Sequence, residues 1–163
     1  MTNERMRFGL IGCGRISQTH FDALAEVDEA ELRVVVDVRE EARGAAAEAQ
    51  TCAGFADYRA AEVLESVDAV IVCTPPDTHH EVAGYFLSKG KHVLCEKPLT
   101  IHTSEAEALV RLAEASAVRL VMASKFRFVS DVIEAKSIIA SGALGRIALY
   151  ENSFCSHVEM QDR

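Results

Sequence analysis

The residues best suited to chemistry lie at the ends of apolar runs: Gly12-Cys13-Gly14-Arg15-Ile16-Ser17, then Asp37, then Glu96-Lys97-Pro98. Gly12 permits a tight turn, and Gly14, without a Cβ, lets backbone N–H groups approach an anion at the positive end of a following helix. Asp37 comes roughly twenty residues later, the spacing at which an acid hydrogen-bonds an adenine-ribose diol. Glycine loop, helix start and terminal acid in this order imply a bound nicotinamide dinucleotide with its pyrophosphate on the loop. Asp37 favours NAD, because a carboxylate accepts from a 2′-hydroxyl and repels a 2′-phosphate, while Arg39 two residues on leaves NADP possible. Ser17 stands where a third glycine or alanine is usual, which is expected to loosen helix-to-strand packing slightly. A lysine at a strand exit, Lys97, can serve as an acid or base or orient a substrate hydroxyl.

Strands and helices must carry these groups to one place. Apolar runs of strand length recur at 7–12, 31–37, 69–73, 92–95 and 119–123, with 54–58 as a short third strand. Between them, residues 16–26, 40–50, 60–65, 78–89 and 104–117 have helical periodicity and are rich in Ala and Glu. Thr103 or Ser104 caps the last of these, with Glu107 completing a capping box after Ser104. Such alternation specifies an α/β fold, a doubly wound parallel sheet of the Rossmann kind. Residues 1–125 are expected to form this dinucleotide-binding domain. Beyond it, 130–141 reads as a helix, Gly142-Ala-Leu-Gly145 as its stop, and 146–158 as a long extended run with no partner strand, the opening of a second, α+β domain in residues 126–163.

Seventeen Lys and Arg against 25 Asp and Glu give a net charge of −8, which disfavours nucleic acid as a partner. No run approaches the length of a membrane span, and the first residues are polar, so neither membrane insertion nor export is expected. Cys13, Cys52, Cys73, Cys95 and Cys155 are odd in number and never form C-x-x-C, a pattern of reduced, cytoplasmic cysteines. Cys13 reads as a small filler of the glycine loop rather than a redox group. His79 and His80, adjacent on a helix start, point about 100° apart and make a poor chelate, so no metal is expected. His157 and Glu159 alternate on one strand face and read as sheet surface.

The segment Cys73-Thr74-Pro75-Pro76-Asp77-Thr78-His79-His80 follows the fourth strand, on the crevice side of an open sheet. Together with the glycine loop and Glu96-Lys97-Pro98, it resembles the glucose–fructose oxidoreductase / inositol dehydrogenase / MocA (Gfo/Idh/MocA) family of nicotinamide-dependent oxidoreductases. The resemblance covers essentially the whole chain. It implies Gly12, Gly14, Arg15 and Ile16 around the pyrophosphate, Asp37 at the adenine ribose, and Thr74, Pro75 and His79 along the cofactor. It further implies Glu96, Lys97 and Pro98 near the nicotinamide, Lys97 as the catalytic lysine, and Arg127 near cofactor or substrate, the bland alternative for Arg127 being an interdomain salt bridge.

The activity so implied is hydride transfer between nicotinamide and a secondary alcohol of a sugar, polyol or related small molecule. Two other readings remain open: NAD-dependent glycoside cleavage or dehydration, and a cofactor-binding module or sensor without catalysis. Family members continue into an open-faced antiparallel sheet that supplies the substrate surface, the homo-oligomer interface and an Asp/His pair. The chain therefore resembles the N-terminal part of such an oxidoreductase, and by itself is expected not to turn over substrate.

Overall fold

The computed structural model describes residues 5–153; Cys155, His157, Glu159 and the end of the 146–158 run lie outside the described residues. Val34, Val35 and Val36, and Ala69 through Val72, are buried on both sides. β-Branched runs of this kind suit central parallel strands covered by helices on both faces. Six strands form one parallel sheet: β1 (Met6–Ile11), β2 (Ala30–Val36), β3 (Ala53–Phe55), β4 (Ala69–Val72), β5 (His92–Glu96) and β6 (Leu120–Ala123). Their order is β3-β2-β1-β4-β5-β6, the doubly wound arrangement with its switch point between β1 and β4.

Side-chain alternation sorts the core into two layers. Leu10, Val35 and Ile71 face one way, packing with Phe21 of α1 (Ser17–Ala25) and against Ala46 and Ala47 of α2 (Glu40–Gln50). Ile11, Val34, Val36, Val70 and Val72 face the other way. They meet Val63 of α3 (Ala61–Ser66), Val82 and Phe86 of α4 (His79–Ser88), and Leu109 of α5 (Thr103–Ala115).

Register then places the chemistry. Ile11 pairs with both Val36 and Val72, and Val72 with Cys95, so Gly12, Asp37, Cys73 and Glu96 leave the sheet at one level of its carboxyl edge.

Element ends differ from expectation in places that have physical causes. β3 is only Ala53–Phe55, so Tyr58 belongs to the following loop and not to a strand. The stretch before α4 is a 3₁₀ turn, Pro76–Thr78, closed by the Thr78 N–H donating to the Pro75 carbonyl at 3.0 Å. Helix α5 begins at Thr103 with His102 as its N-cap residue, and Glu105 rather than Glu107 accepts from the His102 N–H at 3.4 Å. The chain divides into two units, Met1–Ser124 and Lys125–Arg163. In the second, a 3₁₀ turn (Lys125–Phe128) leads to α6 (Ser130–Ala140), which ends at Gly142 in the left-handed region. Of the run expected as a long strand, residues 146–153 are described; they join no ladder and are exposed.

At the amino edge, Arg7 ties the start of β1 to the turn before β4. Its Nη2 lies 2.6 Å and its Nε 3.0 Å from the Asp68 carboxylate, and its backbone N–H donates to the same group at 3.0 Å. The Arg7 hydrogen bonds outweigh burial and hold the Asp68 carboxyl down to about 2. A carboxyl lowered on folding stabilises above its unfolded value, about 3.9, and that contribution is lost as pH falls through the folded value. The wild-type stability advantage over Asp68→Asn, measured by urea unfolding, is therefore expected to shrink between about pH 5 and pH 2.5. A gap that stays constant across that interval would show the ion pair to be thermodynamically silent.

Candidate functional site

Gly12 has φ +98°, and a Cβ there would lie 2.8 Å from the carbonyl carbon and oxygen of Cys73 and from the Thr74 nitrogen. Only glycine lets the β1 exit run this close to the β4 exit. At Gly14, by contrast, a Cβ would meet nothing within 4 Å, so this glycine answers to open space and not to packing. The N–H groups of Gly14, Arg15 and Ile16 find no acceptor among the described protein groups. They stand at the start of α1, where unfilled donors and the helix dipole favour an anion. Donors and open space together fit a pyrophosphate. Ser17 is not a point of slack: it is 5% exposed, and its hydroxyl donates to the Gly14 carbonyl at 2.6 Å, fastening loop to helix.

Asp37, just past β2, reaches back to the same loop. One carboxylate oxygen accepts from the Cys13 N–H at 2.8 Å, the other from the Arg39 N–H at 2.8 Å. The Arg39 guanidinium adds longer bonds of 3.2 and 3.3 Å from a side chain that is 65% exposed. Burial pushes the Asp37 carboxyl up, but the Arg39 and Cys13 hydrogen bonds prevail and leave it below its usual value, ionised at neutral pH. The Cys13 thiol goes the other way, pushed up to about 11 by burial and then by the Asp37 charge. A protonated thiol is a filler and not a redox nucleophile.

These groups line a crevice of about 730 Å³ along the carboxyl edge of the sheet. It holds Gly12, Gly14, Arg15, Ile16, Asp37, Thr74 and Pro75. A smaller hollow of about 410 Å³ shares Arg15, Ile16, Cys73 and Thr74 with it and adds Thr19, His79, Glu96 and Lys97. Pro98 follows Lys97 through a cis peptide. Arg127 belongs to the other unit, as an exposed residue of its 3₁₀ turn.

Most polar side chains of the smaller hollow are already engaged. His79 is 1% exposed, with Nδ1 2.8 Å from the Pro98 carbonyl and Nε2 2.8 Å from the Thr74 carbonyl. Glu96 places Oε1 2.9 Å from His20 Nε2, and its Oε2 accepts from the Lys97 N–H at 3.1 Å. Lys97 itself is exposed. Among the described residues no group of three His, Cys, Asp or Glu gathers as a metal site.

Sequence reasoning gave four residues no role in this site. Tyr58, Arg59 and Glu81 line the crevice; the Arg59 guanidinium lies 4.4 Å over the Tyr58 ring and pairs with Glu81 of α4. Reading 54–58 as strand hid this loop. His20 carried one usable signal, its place on α1 one turn beyond Ser17.

The model of the Gfo/Idh/MocA group, described as an oxidoreductase family with an NAD-binding Rossmann fold, matches residues 6–124. The chain is 36% identical over 141 residues to the glucose-6-phosphate 3-dehydrogenase of Bacillus subtilis (strain 168), a match covering 86% of this chain and 40% of that protein. It is 31% identical over 147 residues to the inositol 2-dehydrogenase of Rhizobium meliloti (strain 1021), covering 88% and 43%. Among solved structures, the WlbA dehydrogenase from Bordetella pertussis in complex with NADH and UDP-GlcNAcA superposes with a TM-score of 0.83 at 32% identity, over 90% of this chain and 42% of that one. The chain thus spans less than half the length of these relatives.

The two glycines are expected to separate cleanly in stability measurements. Gly12→Ala forces a Cβ into main-chain atoms and should cost about 1–3 kcal/mol in urea unfolding, whereas Gly14→Ala should change stability by less than about 0.5 kcal/mol. Equal losses would mean that Gly14, too, is a packing glycine.

Proposed function

The chain belongs to the Gfo/Idh/MocA oxidoreductase family, and from that premise we propose that it holds NAD along the carboxyl edge of the sheet and presents it to a sugar or polyol. The observation that carries this reading is that the hollow at the unpartnered N–H groups of Gly14–Ile16 and the hollow at the exposed Lys97 share Arg15, Ile16, Cys73 and Thr74 as lining. When bound, the nicotinamide supplies hydride transfer to or from a secondary alcohol carbon. All other tasks fall to the protein.

The loop N–H groups and Arg15 bind the pyrophosphate. Asp37 accepts from the adenine ribose, whose hydroxyls replace the long bonds to the Arg39 guanidinium and keep the short ones from backbone N–H groups intact. Lys97 orients the substrate hydroxyl and steadies negative charge on its oxygen as the proton leaves. Relatives that act as glucose-6-phosphate 3-dehydrogenase and inositol 2-dehydrogenase support a sugar or polyol substrate. Residues 1–125 serve as the cofactor domain, and 126–163 open a substrate and oligomerisation domain, where Arg127 serves cofactor or substrate. No described helix is long and apolar enough to cross a membrane. The free thiols of Cys13, Cys52, Cys73 and Cys95 support a cytoplasmic setting.

Calorimetric titration with NADH is expected to show binding that Gly14→Val weakens by at least about tenfold, a loss near 1.4 kcal/mol. Unchanged affinity would remove the pyrophosphate from this loop. Wild type should prefer NADH to NADPH, with Asp37→Ser narrowing the difference; tighter binding of NADPH by wild type would make Arg39 the dominant group. His79 and both Glu96 oxygens already have partners within the protein, and the chain spans less than half the length of its dehydrogenase relatives. These 163 residues are accordingly expected to bind cofactor without oxidising a panel of polyols and sugars, followed by NADH absorbance. Lys97-dependent turnover would show the site to be complete as it stands.

A further inference from the structure

Lys97 is held between anchors on two helices. On its carboxyl side, the Pro98 carbonyl meets Nδ1 of His79 at the start of α4. On its amino side, the Glu96 carboxylate bridges two partners, His20 Nε2 at 2.9 Å and the Lys97 N–H at 3.1 Å. The His20 and Glu96 side chains are each 13% exposed, so water competes weakly for this contact. His20 lies on α1, the helix whose first turn continues from the glycine loop.

We propose that His20 is a positioning residue: through Glu96 it fixes the Lys97 backbone relative to the helix that receives the pyrophosphate. The inference rests on the reading of Lys97 as the reacting lysine. A carboxylate so nearly buried needs a donor on each oxygen. Without the imidazole, Glu96 turns toward solvent and releases the Lys97 N–H. Past the end of β5, the loop then loses its tether to α1 and keeps the one to His79. With the imidazole in place, one carboxylate sets the distance between pyrophosphate helix and lysine, which a small displacement of either end would spoil. His20 lines neither hollow, so its effect passes through Glu96.

The test uses the full chain and two readouts by NMR. Solvent exchange of the Lys97 amide, compared with Leu10 and Ile71 in the central strands, is expected to rise about tenfold in His20→Phe, with the strand amides and the thermal midpoint little changed. His20→Gln, which restores an N–H donor, should bring the Lys97 amide back to the wild-type rate. If the phenylalanine variant does not fold, His20→Leu provides the same comparison. Unchanged Lys97 exchange in the donor-less variant overturns the proposal, as does an equal rise at all amides or a failure of glutamine to rescue. The second readout is the ¹³C signal of reductively methylated Lys97 on NADH addition. It should move in wild type and move less in His20→Phe. No movement in wild type would remove Lys97 from the cofactor and sink the underlying reading, while the exchange data still decide whether His20 holds the loop.

Discussion

The main chain at Gly12 passes so close to the Cys73–Thr74 peptide that no side chain fits between them. This contact lies at the switch point of the sheet, where adjacent strands β1 and β4 send their chains to helices on opposite faces. The Gly12 N–H donates to Val36 at 2.7 Å and the Cys73 N–H to Ile11 at 2.7 Å, so three central strands are tied together until the last residue before they part. Past that level the chains diverge and the crevice opens. Close packing below thus creates an open, donor-lined space above, where ligands of open α/β sheets bind.

Asp37 extends the same economy into electrostatics. A carboxylate at the end of β2 would be costly to bury alone, yet backbone donors from the glycine loop and from Arg39 meet it on both oxygens. Those backbone bonds are local and fixed by the turn. The guanidinium of Arg39 is long, exposed and weakly held, a contact that water or a ribose hydroxyl can replace at little cost. The charge is therefore kept ready for a ligand while the loop beneath it stays in place.

At the lysine end the polar groups divide by role. His79, Glu96, His20 and Ser17 all hydrogen-bond within the protein, and no buried side-chain nitrogen or oxygen among the described residues lacks a partner. Groups committed in this way hold a site's shape. Arg15 and Lys97, both exposed and both lining the smaller hollow, are left to meet whatever enters.

The sequence by itself determined the alternation of valine-rich strands with helices, the glycine loop, the acid after β2 and the lysine after β5, because each depends on neighbours within a few residues. Its errors were local too: the length of β3 and the cap of α5; residues 146–153, read as an extended run with no partner strand, form no ladder. Strand propensity describes a preference, and a ladder needs a second chain segment to pair with. Tertiary structure alone decided that His20 meets Glu96 across 76 positions, that His79 joins the Thr74 and Pro98 carbonyls, and that Tyr58 and Arg59 reach Glu81 at the crevice rim. Sequence periodicity carries no information about which strand lies beside which, and these contacts exist only once the order β3-β2-β1-β4-β5-β6 has brought distant loops to one edge.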